Sequence, residues 1–420
     1  MASMDKDDQP LLAEDLTNPR DPVAEEPGSS RPTAFSFDDV VTGIFVVSFD
    51  THKGNTVEWK SPESLNLAGL EFKAMASGFH TVSDDYVLFN LGGLFGLSCY
   101  QKIAVDSAEE RGARMRSVGV LCPSFYALCR HQDFLKKEVQ RQVEDPNRGH
   151  EQLQRYYEAH QPSGASFAPQ SPLPTDAAVT PGQSVMPRIQ ARHPPGCVSE
   201  FCYSFGAKIF SLWRLLMLRK RILFIGHPPV GLLCGRVYSC HMTSCTSEVI
   251  SSLGDVPGLF YVNVNDISYL QQQKSYIACT TETIFETKTT LFDVLVRGDE
   301  IAVSAGAKQE GLEHVVHVSR ADERRMADLN LQRSQLSAES ESETGEEELF
   351  MSFFQDMNNA LYRLLRSSAD SPSHRLTMVA LEEIGLDPYD IDFARRLADV
   401  HSLEVVAQSP VCPCINCSIF

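Results

Sequence analysis

Residues 201–229 read FCYSFGAKIFSLWRLLMLRKRILFIGHPP, and this stretch decides the fold class. Phe201, Phe205, Ile209, Leu212 and Leu216 recur at three- to four-residue intervals, the spacing of one helix face. The pattern then gives way to RILFI at 221–225, an apolar run stopped by Gly226 and Pro228-Pro229, which reads as a strand. Downstream, 230–238 is helical again, and strands recur at 259–264, 276–279 and 291–296. Helices alternating with strands imply an α/β sheet with helices packed on it, over a domain spanning 196–318.

Beyond it, the region 319–403 is helical. Residues 319–336 are amphipathic but strongly charged. At 349–365, Phe350, Phe353, Phe354, Met357, Leu361, Leu364 and Leu365 form one stripe, the mark of a core-facing helix. Two more helices, broken at Gly385 and Asp387-Pro388, run on to 401. The intervening SAESESETGEEE at 337–348 is expected to be a disordered, solvated acidic loop, with a phosphorylation switch as the sharper alternative.

Upstream, order is expected to begin near Phe37. GIFVVSFD at 43–50 and VEW at 57–59 flank the turn residues His52, Lys53, Gly54 and Asn55, which predicts a hairpin. Strands follow at 86–89, 94–100 and 117–121, then helical spacing over 124–143 through Phe125, Leu128, Phe134, Leu135 and Val139. These elements make a first α/β module over 37–144. The Pro-rich stretch 145–195 reads as a linker with a short helix around 152–159. Residues 1–36 are acidic and lack the apolar surface to order themselves, and 404–420 form a cysteine-containing tail.

The chain carries 37 Lys+Arg against 55 Asp+Glu, a net charge of -18, which argues against nucleic acid as a partner. No run reaches the roughly 18 apolar residues of a membrane-spanning helix. The best stretch, 201–218, contains Lys208 and Arg214 and ends in Arg219-Lys220-Arg221. The acidic N-terminus does not resemble a signal peptide. Twelve cysteines in 420 residues fall short of a disulfide scaffold. The expectation is therefore a cytoplasmic chain with reduced thiols. Leu11 and Leu12, within DDQPLL at 7–12, match an acidic-dileucine pattern of the kind that sorting adaptor complexes read.

Catalytic signatures are missing. There is no GxxxxGK[ST], GxSxG or HExxH, and Gly92, Gly93 and Gly96 fit a hairpin turn better than a dinucleotide loop. His314 and His317 have nothing nearby to complete a metal site. Cys234, His241 and Cys245 would share a helix face, but their ends would lie about 16 Å apart, too far for one zinc. In a loop, Cys234, Cys240, His241 and Cys245 leave zinc open beside plain packing of small apolar thiols. No metal or cofactor is expected. The terminal CPCINCSIF places Cys417 in a C-a-a-X prenylation frame, with Cys412 and Cys414 available for a second lipid and peripheral attachment to endomembranes. Against this, Ser418 is not aliphatic and no polybasic run precedes it. Lipidation, a metal contact and an inert tail all stay open.

Several long segments resemble the DENN-domain superfamily, with LCHN-type members most alike. They are FVVSFD (45–50), GNTVEW (54–59), EFKAMASG (71–78), ERGARMRSVGVLCPSF (110–125), LLMLRKRILF (215–224), PPVGLLCGRVY (228–238), FYVNVNDI (260–267) and YIACTTETIFETKTTLFDVLV (276–296). The resemblance implies a longin-like upstream DENN α/β module, a central DENN α/β domain and a helical downstream DENN region. It further implies a guanine nucleotide exchange factor that clasps the switch regions of a Rab-type GTPase between two lobes and promotes GDP release without covalent chemistry. LCHN-like proteins are associated with neurite growth. Arg111, Arg114 and Arg116, in RGARMRS at 111–117, are the candidate GTPase contacts. That stretch also resembles folliculin-type relatives, where an arginine acts as a finger in GTP hydrolysis; by position this would be Arg111, a device worth about 10³–10⁵ in rate. The competing readings are a non-catalytic GTPase-binding scaffold in membrane trafficking, and three arginines that only pair with neighbouring acids.

Overall fold

A computed structural model describes residues 40–107, 109–162, 197–248, 255–339 and 343–407. In the first part these form β1 (Gly43–Asp50), β2 (Gly54–Ser61), α1 (Leu70–Ala74), β3 (Asp84–Leu91), β4 (Leu94–Ala104), β5 (Ala113–Cys122), α2 (Gln132–Glu144) and α3 (Glu151–His160). The second part holds α4 (Cys197–Phe205), α5 (Ile209–Met217), β6 (Arg221–Ile225), α6 (Val230–Met242), β7 (Gly258–Tyr261), α7 (Ile267–Leu270), β8 (Tyr276–Thr280), β9 (Val294–Arg297), β10 (Glu300–Val303) and α8 (Ala305–Gln309). The helical remainder comprises α9 (Arg320–Glu339), α10 (Glu343–Asp370), β11 (Arg375–Leu376), α11 (Met378–Glu383), α12 (Ile391–Val400) and β12 (Val406–Ala407).

Ten strands make one mixed sheet in the order β10-β9-β6-β8-β7-β3-β4-β5-β1-β2. Strands β7, β8, β6 and β9 run parallel, and the rest pair antiparallel. The interiors of RILFI and YIACT, Ile222–Ile225 and Ile277–Cys279, are apolar because both faces of the parallel block are covered. One face buries Leu223, Ala278 and Phe285 in a smaller core, and the other sends Phe224 and Cys279 into the main core. The antiparallel block is punctuated by Gly92-Gly93, whose positive φ values of 59° and 85° suit a tight primed turn. Gly96 lets the Phe89 ring cross the sheet, since a Cβ there would sit 2.2 Å from the ring.

The two strand groups meet at a single residue pair, Phe89 with Phe260. Phe260 is fully buried at a register shift in β7 and adopts φ 55°, unusual for a bulky residue. Its ring packs edge-on against Phe95 and Phe125, which holds the conformation in place. Helix α6 packs across this seam against β3, β7 and β8. Behind it, α4 lies on α6 and α10 on α4, with Phe350, Phe354, Met357, Leu361 and Leu365 of α10 buried as its stripe foretold.

Two local expectations need correction. The segment 124–143 is not one helix: Phe125–His131 form a 3₁₀ turn before α2 begins. Residues 337–348 are helical at 337–339 and 343–348, and Glu347 is buried there. It accepts hydrogen bonds from the backbone N–H of Val198 (3.0 Å) and Ser199 (3.2 Å) and from the Ser199 hydroxyl (3.0 Å), so it caps the start of α4. The short helix expected within the Pro-rich stretch is present as α3. Helix α3 buries Leu153, stacks Tyr156 on Phe134 at 3.6 Å, and accepts the Val41 N–H at the His160 carbonyl. The remainder of that linker, from 163 to 195, lies outside the described residues, as do Leu11, Leu12, Cys412, Cys414 and Cys417. Strand β10 went unforeseen. Gly298-Asp299 makes the turn that folds it back on β9.

Candidate functional site

The strand directions place several loops on one rim. The carboxyl ends of the parallel strands β7, β8, β6 and β9 emerge together. Because β3 runs antiparallel to β7, its start lies at the same end, and by the same alternation so do the β4–β5 turn and the β1–β2 turn. In open α/β sheets this end is where partners and ligands are met.

Hydrogen bonds knit the rim segments to one another. The Thr51 hydroxyl donates to the Glu109 carbonyl (3.0 Å), joining the two hairpin turns. The Asn55 amide donates to the carbonyls of Glu71 (3.3 Å) and Met75 (3.4 Å), joining β2 to α1. Asn263 donates to the Phe72 carbonyl (3.3 Å), and the Val264 N–H donates to Glu282 (2.8 Å). Three of these segments carry large apolar side chains in solvent: Phe72 is 47% exposed, Val264 47% and Ile284 44%. Apolar side chains presented together by three tied segments are a docking feature.

Beneath Phe72 lies a buried charge. Lys73, only 5% exposed, sets its ammonium 2.6 Å from Asp266 and 3.0 Å from the Tyr261 carbonyl. Burial pulls the Lys73 pKa below its ordinary value, and the Asp266 carboxylate opposes that shift. The Tyr261 hydroxyl accepts the Ser77 N–H (2.9 Å), a further tie between α1 and β7. Glu282 is half-buried, and burial raises its carboxyl pKa while the Val264 N–H lowers it. At the neighbouring end of β3, Asp85 accepts the N–H groups of Val230 (2.5 Å) and Gly231 (3.1 Å), capping α6 from the other strand group. Pro229 has no side chain that can do this.

The three candidate arginines separate into two roles. Arg116, 7% exposed, donates to the Gln142 carbonyl (3.0 Å), the Pro146 carbonyl (3.3 Å) and Glu58 (3.0 Å). Arg114 grips Glu110 through two 2.8 Å bonds and donates to the Val143 carbonyl (3.0 Å). Both satisfy the open carbonyls at the end of α2, where cationic side chains also suit the helix dipole. Glu58 reaches Arg116 because a bulge between β1 and β2 leaves it outside the regular pairing. Arg111 is different. It sits exposed at the β4–β5 turn with φ 50°, and makes no hydrogen bond or ion pair among the described residues.

The cysteine–histidine candidates serve the core. Cys234 lies 3.8 Å from the Cys279 sulfur and receives the Leu88 N–H. His241 meets the Phe125 ring edge-on at 5.2 Å, and Cys240 and Cys245 are buried. His317 turns back onto the His314 carbonyl. Among the described residues no cluster of His, Cys, Asp or Glu is arranged for a metal, and no helix is long and apolar enough to cross a membrane.

Phe72, Lys73, Asp85, Val264, Asp266, Glu282 and Ile284 were not singled out in the sequence. All but Asp85 lie in segments that carry the family likeness, at 71–78, 260–267 and 276–296. That likeness was the available signal. A family model for DENN domain-containing protein 11 matches residues 44–307. Proteins described as DENN domain-containing protein 11 are similar over most of their length. The Xenopus laevis protein is 40% identical over 400 residues, 92% of this chain and 90% of its own. The Danio rerio protein is 38% identical over 91% of this chain and 80% of its own, and the Mus musculus protein 38% over 90% and 84%.

Proposed function

The chain belongs to the DENN domain-containing protein 11 family, and from that premise we propose that it is a guanine nucleotide exchange factor for a small, Rab-type GTPase. The supporting observation is the rim itself, where Phe72, Val264 and Ile284 stand exposed on segments contributed by both strand groups. Exchange requires a surface that binds the nucleotide-free GTPase more tightly than the loaded one; that differential affinity displaces GDP, and no proton or electron need move. An apolar rim over a rigid sheet suits the task. Such a surface requires no catalytic triad and no metal-ligand spacing.

Arg111 supports a second reading, a GTPase-activating role. It is an exposed arginine on the same rim, held in a left-handed turn before Gly112. Arg114 and Arg116 are spoken for and do not contribute to that reading. A scaffold without effect on either rate, serving membrane trafficking through adaptors read at Leu11 and Leu12 or lipids at Cys417, is what remains if both fail.

Release of fluorescent GDP from a panel of purified Rab-type GTPases, with and without the protein, tests the proposal. Acceleration on one or a few members, reduced by Phe72→Ala, supports exchange. A flat panel alongside measurable binding overturns it. Hydrolysis of GTP that accelerates with wild type and is lost with Arg111→Ala would establish the second reading instead.

A further inference from the structure

We propose that Lys73 and Asp266 form a positioning latch that sets the docking surface by fixing α1 against the segment leaving β7. The inference rests on the exchange reading above and goes beyond it, assigning the pair a role in presenting Phe72 and Val264 as one surface.

The two residues are 193 positions apart in sequence, yet their charged atoms lie at 2.6 Å. Each is held on its other side. The Lys73 ammonium also donates to the Tyr261 carbonyl (3.0 Å), and Asp266 Oδ2 also accepts the Asn263 N–H (2.8 Å), so the bridge is anchored to the backbone of β7's exit. Lys73 directly follows Phe72, and Asn263, which donates to the Phe72 carbonyl, directly precedes Val264. Any slide of α1 along β7 would therefore separate Phe72 from Val264 and break the ion pair in the same movement.

A side chain of aliphatic character would bury in this place at lower cost. Replacing a buried ion pair by apolar groups is often neutral for stability, and the attested use of such pairs is to fix register. Apolar packing alone tolerates sliding, whereas a charge pair with both partners tied to backbone does not. The surrounding contacts are directional too: Asn263 to Phe72, the Ser77 N–H to the Tyr261 hydroxyl, and the Thr281 hydroxyl to the Ser77 carbonyl (2.8 Å).

The test uses the full chain with Lys73→Met and Asp266→Asn combined, so that no unpaired charge is buried and the Asn263 N–H keeps an acceptor. Three readouts are compared with wild type: thermal midpoint, hydrogen exchange at 70–77 and 261–266, and GDP release from the same GTPase panel. The latch predicts a midpoint close to wild type, faster hydrogen exchange confined to those two segments, and acceleration of GDP release reduced about tenfold, within the usual range of coupling between sites. Lys73→Arg, which keeps the charge, is expected to recover part of the loss. If wild type accelerates release and the double variant does so equally, the latch is overturned and the exchange reading stands. If wild type leaves the whole panel unaffected, the exchange reading falls, and unchanged hydrogen exchange in the variant would overturn the latch separately.

Discussion

Arg214 offers a sharp test of how the helical remainder is fastened to the sheet. It is fully buried on α5, and its guanidinium spans two carboxylates from distant parts of the chain. Nη2 donates to both oxygens of Asp322 (2.9 and 2.8 Å) and to Asp390 (3.2 Å), and Nε lies 3.0 Å from Asp390. Arg325 completes the cluster at 2.6 Å from Asp322 and 3.9 Å from Asp390, so two cations balance two anions. Arg214→Met leaves two buried carboxylates sharing one guanidinium. Removing one partner of a buried ion pair costs about 3–5 kcal/mol, because the remaining charge is uncompensated. Asp390 bears most of that cost, since Arg325 lies 2.6 Å from Asp322 but 3.9 Å from Asp390. With a urea slope of about 3 kcal/mol/M, the midpoint falls by about 1–1.7 M. Adding Asp390→Asn restores charge balance around Arg325 and Asp322 and should return more than half of the loss. The assay is urea unfolding followed by fluorescence, for wild type, both single variants and the double. A single-variant loss below about 1 kcal/mol, or a double variant no more stable than Arg214→Met, would refute the reasoning from uncompensated charge.

Other outcomes follow from the same geometry. Arg116→Ala removes a buried cap of α2 and is expected to destabilise the fold by about 1–3 kcal/mol, while Arg111→Ala stays within about 0.5 kcal/mol; parallel thermal melts compare them. Phe72→Ala should leave the thermal midpoint unchanged, since the ring is half in solvent, yet weaken GTPase binding by about tenfold in a titration with a responsive panel member. Burial raises the Glu347 pKa above its ordinary carboxyl value, so the folded chain takes up a proton before the unfolded chain does as pH falls. This group's contribution therefore grows more favourable on acidification. The stability of wild type relative to Glu347→Gln should increase between pH 7 and pH 5, and a flat or falling difference in urea midpoints would count against it.

How far the sequence reached can be judged from particular residues. RILFI and YIACT were legible as strands because burial on both faces makes their central positions apolar, and the stripe on α10 was legible because one helix face is continuous. Glu347 was not. Its burial comes from Val198 and Ser199, 149 and 148 residues away, and an acidic run has the same composition whether it is solvated or caps a helix. The arginines show the boundary most clearly. Strand alternation puts Arg114 and Arg116 on one face and leaves Arg111 in the turn before it, which the two-residue period alone could have said. That α2 ends over that face, with its carbonyls open at Gln142 and Val143, is a tertiary fact.

The rim was hidden for a related reason. Phe72, Val264 and Ile284 look like core residues in any local window, and only the fold leaves them exposed. A nucleophile or a metal centre announces itself by residue types that are costly to place without a purpose, whereas a docking surface is built from the same apolar side chains as the interior. The discriminating feature is the mismatch between residue type and exposure, at positions held rigid from below. Here that mismatch coincides with a buried Lys73 paired to a partly buried Asp266, which a core built for stability alone would not need. Rigidity beneath exposed apolar groups is what differential affinity for one state of a partner demands, because a surface that adapts to both states would favour neither.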